Sequence, residues 1–287
     1  MNCPHCGSEW FRERKKKPGF RCYQCDKNWL MVDLVIGNLE QITADAAARG
    51  DRIGYFSALY WLTSRQMRLA IKERVFERSV FLDRFDGEFA SYYFNYYSQY
   101  RQFGYSSSPS WNLSFKAAQQ EHHLILQHLV LGLNAHILVD LGLCTATASA
   151  GSNIEDFAGD FMAINDVLAK VIPDAELRLG ANNDLFNILN EIFPTQPLSE
   201  AGLRWYRANA WDFACRLANA PKYRWPDLVR DQESAAVEMG LAMLASDEFE
   251  ERLGQLFVLF AGEDSDDVCG NIFRLMGVPI PRRFPFG

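Results

Sequence analysis

The sequence predicts an all-α fold, a single domain of about ten helices behind a short cysteine-bearing N-terminal module. Three observations predict it. Beyond residue 32 no run sustains a period-2 apolar alternation, and no hairpin dipeptide joins two β-rich runs. Apolar residues recur there at helical spacing, interrupted by residues that start and stop helices. At 287 residues, 48% hydrophobic and 23% charged, the chain has apolar material for one large core and lacks the composition of a disordered protein.

The N-terminal module carries the most specific chemical signal. Cys3-Pro4-His5-Cys6 and Cys22-Tyr23-Gln24-Cys25 are two C-x2-C pairs with 15 residues between them. Each pair lets two thiolates reach one ion from a single backbone knuckle. Cys3, Cys6, Cys22 and Cys25 therefore read as a closed, structural four-thiolate Zn2+ site, a zinc ribbon over residues 1–31. Gly7 suits the knuckle turn, and Arg12 to Gly19 reads as an exposed hairpin tip. Trp10, Phe20, Tyr23 and Trp29 are expected to form a small apolar cap. So short a segment cannot fold on that cap alone, and metal binding would supply on the order of 10 kcal/mol.

The helical domain is assigned to residues 32–287, with helices expected near 38–48, 51–73, 75–103, 112–143, 153–171, 182–193, 198–219, 226–245, 247–261 and 265–277. Ser152-x-x-Glu155 has capping-box spacing, Asp264-x-x-Asp267 is a weaker relative of it, and Pro226 suits a first helical turn. Pro173, Pro194 and Gly277 read as stops, and Tyr105 to Ser110 as the clearest loop. With no Pro/Gly-rich linker, residues 38–277 are expected to form one unit. Strands are expected only in the ribbon.

Charge and cysteine usage bound the partners. Residues 1–30 carry seven Lys/Arg against three acids, a formal +4, while the rest of the chain is at −11. The Lys15-Lys16-Lys17 run could make a weak, salt-sensitive nucleic-acid contact, or the ribbon could grip another protein; a solvated tip explains the run equally well. Cys144, Cys215 and Cys269 read as reduced core thiols, and the N-terminus lacks the apolar stretch of a signal peptide, so a cytoplasmic protein is expected. The apolar run Leu124–Leu143 contains Gln127, His128, Asn134, His136 and Asp140, which argues against a membrane span and for a buried core helix.

That helix holds the candidate site. His122 and His136 lie roughly 21 Å apart along an α-helix and cannot share an ion. His136 and Asp140, spaced i,i+4, can converge. One reading makes them ligands of a second divalent metal, with Asp86 of the preceding helix as third ligand or general base. The other makes them a buried hydrogen-bonded pair. His128, Asn134, Trp111 and Arg207 are assigned to a ligand pocket around this helix, where Arg207 could pair an acid; His122 and His123 are expected on an exposed stretch. Phosphate-binding glycine loops, a G-x-S-x-G elbow, H-E-x-x-H and paired Glu-x-x-His motifs are missing.

Several stretches carry a resemblance. Ile53-Gly54-Tyr55-Phe56-Ser57-Ala58-Leu59-Tyr60, Arg84-Phe85-Asp86 with Phe89-Ala90, Ser110-Trp111, and Gln127 to Ile137 with Asp140-Leu141 resemble a bacterial family labelled domain of unknown function 5995. Asp160-Phe161 with Ile164-Asn165, and Arg207 with Ala210-Trp211, fit it too, so that the likeness covers about 38–277. It implies an all-helical domain and no established activity. In the single His-x3-Asp motif the chain is also similar to the zinc-dependent phospholipases C and single-strand nucleases, without their many ligand histidines or processed N-terminal Trp. Two functions follow: a metal-dependent hydrolase centred on Asp86, His136 and Asp140, or a non-catalytic binding module whose helical pocket takes a small ligand. Substrate, ribbon partner and oligomeric state are not encoded in any motif.

Overall fold

The computed structural model describes residues 2–14, 17–168, 200–245 and 267–279. Three short strands, β1 (Phe11–Glu13), β2 (Phe20–Cys22) and β3 (Asn28–Trp29), form an antiparallel sheet in the order β1-β2-β3. Gly19 shows why the tip needs glycine. Its φ is +88°, and a Cβ there would lie 2.1 Å from the carbonyl oxygen of Trp29. Phe11, Phe20 and Trp29 pack ring on ring beneath the sheet and meet Met31 and Leu34 at the start of the helical part. The expected cap is thus corrected: Trp10 and Tyr23 are 77% and 59% exposed, because strand alternation turns Phe11 inward instead.

Every regular element after the ribbon is helical among the described residues. Helix α1 (Met31–Arg49) starts seven residues before its expected position because its first turn is capped twice. The Asp33 carboxylate accepts the Leu30 N–H at 2.8 Å, and Asp83 accepts the Val32 N–H at 3.3 Å. Helix α2 is Gly54–Glu73, and α3 (Ser79–Phe103) follows a turn whose Glu77 and Arg78 N–H groups donate to the Asp160 carboxylate. The expected helix over 112–143 is two helices, α4 (Pro109–Ala117) and α5 (Ile125–Ala135). The polar stretch Gln119–His122 interrupts it. Leu124 is extended, and the Gln127 side chain accepts its N–H at 2.9 Å, which starts a new helix.

From α5 the chain runs without a break through a π-helical segment, His136–Leu141, into α6 (Gly142–Ala148). A 3-10 turn at Ile154–Phe157 leads to α7 (Ala158–Leu168); Asn153, not Ser152, caps that turn. Then come α8 (Glu200–Asn219), α9 (Trp225–Ala245) and α10 (Val268–Met276). Asp267 accepts the Gly270 N–H to cap α10, while the expected Asp264 lies outside the described residues, and Gly277 ends the helix at φ +64°. The helices expected at 182–193 and 247–261, and the stops at Pro173 and Pro194, lie outside the described residues.

The helix Ile125–Ala148 forms the axis of the packing. It is long and apolar enough to cross a membrane, with an 18-residue stretch of mean hydropathy 1.7, yet 89% of that stretch is buried inside the protein, as expected of a core helix. Glycines bring its neighbours close. Gly132 lies against the Phe56 ring of α2, and Gly142 against Phe213 and the Ala210 carbonyl of α8.

Candidate functional site

The four N-terminal cysteines converge as their spacing predicts. Their sulfurs all lie within 4.8 Å of one another, with Cys3 to Cys25 and Cys6 to Cys22 at 3.6 Å. A disulfide requires about 2.05 Å. A thiolate tetrahedron with metal–sulfur bonds of about 2.3 Å has edges of about 3.8 Å, so the set fits one tetrahedral ion.

The second centre is built on the π-helical segment. Such a segment widens the turn at a point where functional side chains are often held. Here it carries both His136 and Asp140, and it leaves them in hydrogen-bond contact: His136 Nδ1 lies 2.9 Å from Asp140 Oδ2. The Trp111 indole N–H donates to the same oxygen at 2.8 Å. Asp140 is fully buried, and His136 is held among rings, stacked on Phe89 at 3.8 Å and tilted against Tyr60 at 4.7 Å. Burial pushes His136 well below the ordinary imidazole range. It pushes Asp140 well above the carboxylate range, an effect that the Trp111 N–H opposes. The 2.9 Å contact ties the two groups into one hydrogen-bonded pair, and Nε2, which has no hydrogen-bond partner among the described residues, is the pair's open end.

His136 lines a cavity of about 100 Å³ between α2, α3, the π segment, α7 and α8. Phe56, Leu59, Met67, Phe85, Phe89 and Leu133 supply apolar wall. Five lining residues each keep one buried polar atom without a hydrogen-bond partner among the described residues: Tyr60 Oη, Ser64 Oγ, Asp86 Oδ2, His136 Nε2 and Arg207 Nε. Burial, reinforced by nearby Asp83, raises the Asp86 carboxyl to about 7, and burial lowers Arg207 to about 9, which leaves the guanidinium charged at neutral pH. Arg207 does not pair an acid as expected. Its terminal NH2 donates to the Phe161 carbonyl, and the guanidinium carbon lies 4.3 Å from the Phe161 ring centroid.

Of the residues assigned from sequence, Asp86, His136 and Arg207 meet at this cavity, with Asp140 and Trp111 directly behind His136. The other two lie elsewhere. Asn134 donates to the Ala236 carbonyl of α9 at 2.7 Å, and His128 sits beside Tyr55 and a much smaller void of about 10 Å³. The residue His123, expected to be exposed, is buried and contacts Gln120 at 2.7 Å. Among the described residues the four cysteines are the only set of three or more ligand atoms close enough for one ion, and Asp86, His136 and Asp140 do not form another. Sequence reasoning missed Tyr60 and Ser64. Both lie on α2, where their polar atoms are buried among apolar and aromatic neighbours; their i,i+4 spacing was the available signal.

Residues 32–246 match a family of unknown function, DUF5995. The chain belongs to that family. The DUF5995 match takes in the whole cavity lining and both helices of the Trp111–Asp140–His136 contact, and leaves the four-cysteine module outside it. No curated protein and no solved structure matches the chain.

Proposed function

We propose that the DUF5995 domain encloses a small-molecule site in which His136, positioned by Asp140 and Trp111, transfers a proton at Nε2 in a hydrolytic reaction, and that the N-terminal module holds one structural zinc. The observation that carries the reading is the gathering, around one otherwise apolar cavity, of five buried polar atoms that have no partner among the described residues. Buried polar groups are normally paired, and leaving each unpaired costs about 1–3 kcal/mol, so a bound molecule or water that satisfies several of them is favoured.

In this role Nε2 takes a proton from water as the water oxygen attacks an acyl carbon, and returns that proton to the leaving oxygen as the carbon–oxygen bond breaks. Asp86 in its protonated form can donate to the carbonyl oxygen. The same chain of contacts makes proton transfer a better fit than the second divalent metal read from sequence, because Nδ1 and Oδ2 are committed to each other and no third ligand atom converges with them among the described residues. The modest volume and apolar wall favour a second reading, a cavity that binds without turnover.

Small esters of about four carbons, such as methyl acetate, ethyl acetate and methyl propionate, followed by acid release at constant pH, separate the two. The wild type is expected to hydrolyse at least one of them, and His136→Asn to lose about a hundredfold or more of that rate while keeping its helical circular dichroism. A wild type that binds cavity ligands but turns over no ester supports the binding module instead.

A further inference from the structure

The cavity contains a buried cation for which no described residue provides a counter-ion. Arg207 is 3% exposed, yet among the described residues no carboxylate lies within ion-pair distance of it. A carbonyl oxygen and a ring face are its contacts, and Nε keeps an unused donor at the cavity. A charge withdrawn from water without a partner is strongly unfavourable, and folded proteins normally pair it. The Nε–H edge of a guanidinium is one of the two edges that meet a carboxylate side-on.

We propose that Arg207 is the anion receptor of the cavity, and that the molecule bound there is a small carboxylate whose short apolar body packs against Phe56, Leu59 and Phe85. This rests on the cavity being a ligand site, and it names the ligand's chemical class. The volume, about 100 Å³, sets the size. A dry cavity of about 150 Å³ holds benzene, so a molecule of about four carbons is the right scale here. The carboxylate is compatible with Asp86 on the same cavity, since burial keeps that group near half-protonated at neutral pH and lets it donate a proton rather than only repel. A carboxylate is also what ester hydrolysis at His136 would release.

Calorimetric titration of the full-length protein with sodium butyrate and with butan-1-ol tests the assignment. The two probes share an apolar body and differ in charge. Butyrate is expected to bind more tightly by on the order of tenfold or more, the difference between a charged and a neutral hydrogen bond. In Arg207→Met that preference should vanish while butan-1-ol binding persists, and in Arg207→Lys part of the preference should remain. If Arg207→Met does not fold, the wild-type ratio still decides. Equal binding of the two probes by the wild type overturns the anion assignment but leaves the cavity as a ligand site. Binding of neither overturns both, and an undiminished butyrate preference in folded Arg207→Met places the anion elsewhere and overturns the assignment.

Discussion

The contact between Trp111, Asp140 and His136 turns three side chains from two helices into one device. Asp140 Oδ2 receives the indole N–H and faces His136 Nδ1, so removing the indole donor leaves a buried oxygen short of a partner. Trp111→Phe keeps most of the ring volume and is expected to cost about 1–3 kcal/mol in urea unfolding, with Asp140 pushed further upward. Asp86 gives a pH signature of its own. Its carboxyl stands at about 7 in the folded chain against an ordinary value of 3.8, so between those limits the folded state binds more protons than the unfolded one. Stability therefore falls as pH rises from about 4 to about 7 and levels off above, by up to about 4 kcal/mol for this group. Asp86→Asn should flatten that slope in melting curves taken across the range, although Asp83, raised to about 6, retains a contribution of the same sign. The pairing of His136 with Asp140 was legible from i,i+4 spacing alone. The partner Trp111 was assigned only to the pocket in general, because its contact spans 29 residues and depends on how α4 folds back onto the central helix.

At the scale of elements, helix type could be read from periodicity, whereas two of the helix starts depend on tertiary contacts as well as local caps. Asp83 caps α1 from 51 residues away, and Asp160 caps the entry to α3 from more than 80, so local sequence placed both starts wrongly. The merged helix over 112–143 failed for a local reason, since the Gln127 side chain that reopens the helix at Ile125, by accepting from Leu124 three residues back, looks like an ordinary polar position. The π segment has no sequence signature of its own. Close helix approach is testable here: a Cβ at Gly132 would lie 2.2 Å from the Phe56 ring, and one at Gly142 would lie 2.8 Å from the Ala210 carbonyl oxygen, which cannot rotate away. Each Gly→Ala change is expected to cost about 1–3 kcal/mol in chemical denaturation. Because Phe56 also lines the cavity, Gly132→Ala should weaken ligand binding, whereas Gly142→Ala should act mainly on stability.

Across the whole molecule, a small sheet with four convergent thiols sits on an all-helical body through Met31 and Leu34, with Glu13 and Arg84 paired at 3.6 Å across the junction. Elemental analysis of the purified protein is expected to find about one zinc per chain, and Cys22→Ser to abolish it. The helical body contributes the cavity, and the question of function comes down to whether a molecule in that cavity reaches His136. Nitrogen-15 NMR of the protein labelled at its five histidines, titrated with sodium butyrate, measures this directly. The account predicts a saturable shift of the His136 Nε2 resonance, assigned by its loss in His136→Asn, with the His122 signals unmoved. A His136 resonance that stays fixed while butyrate saturates the protein would contradict it.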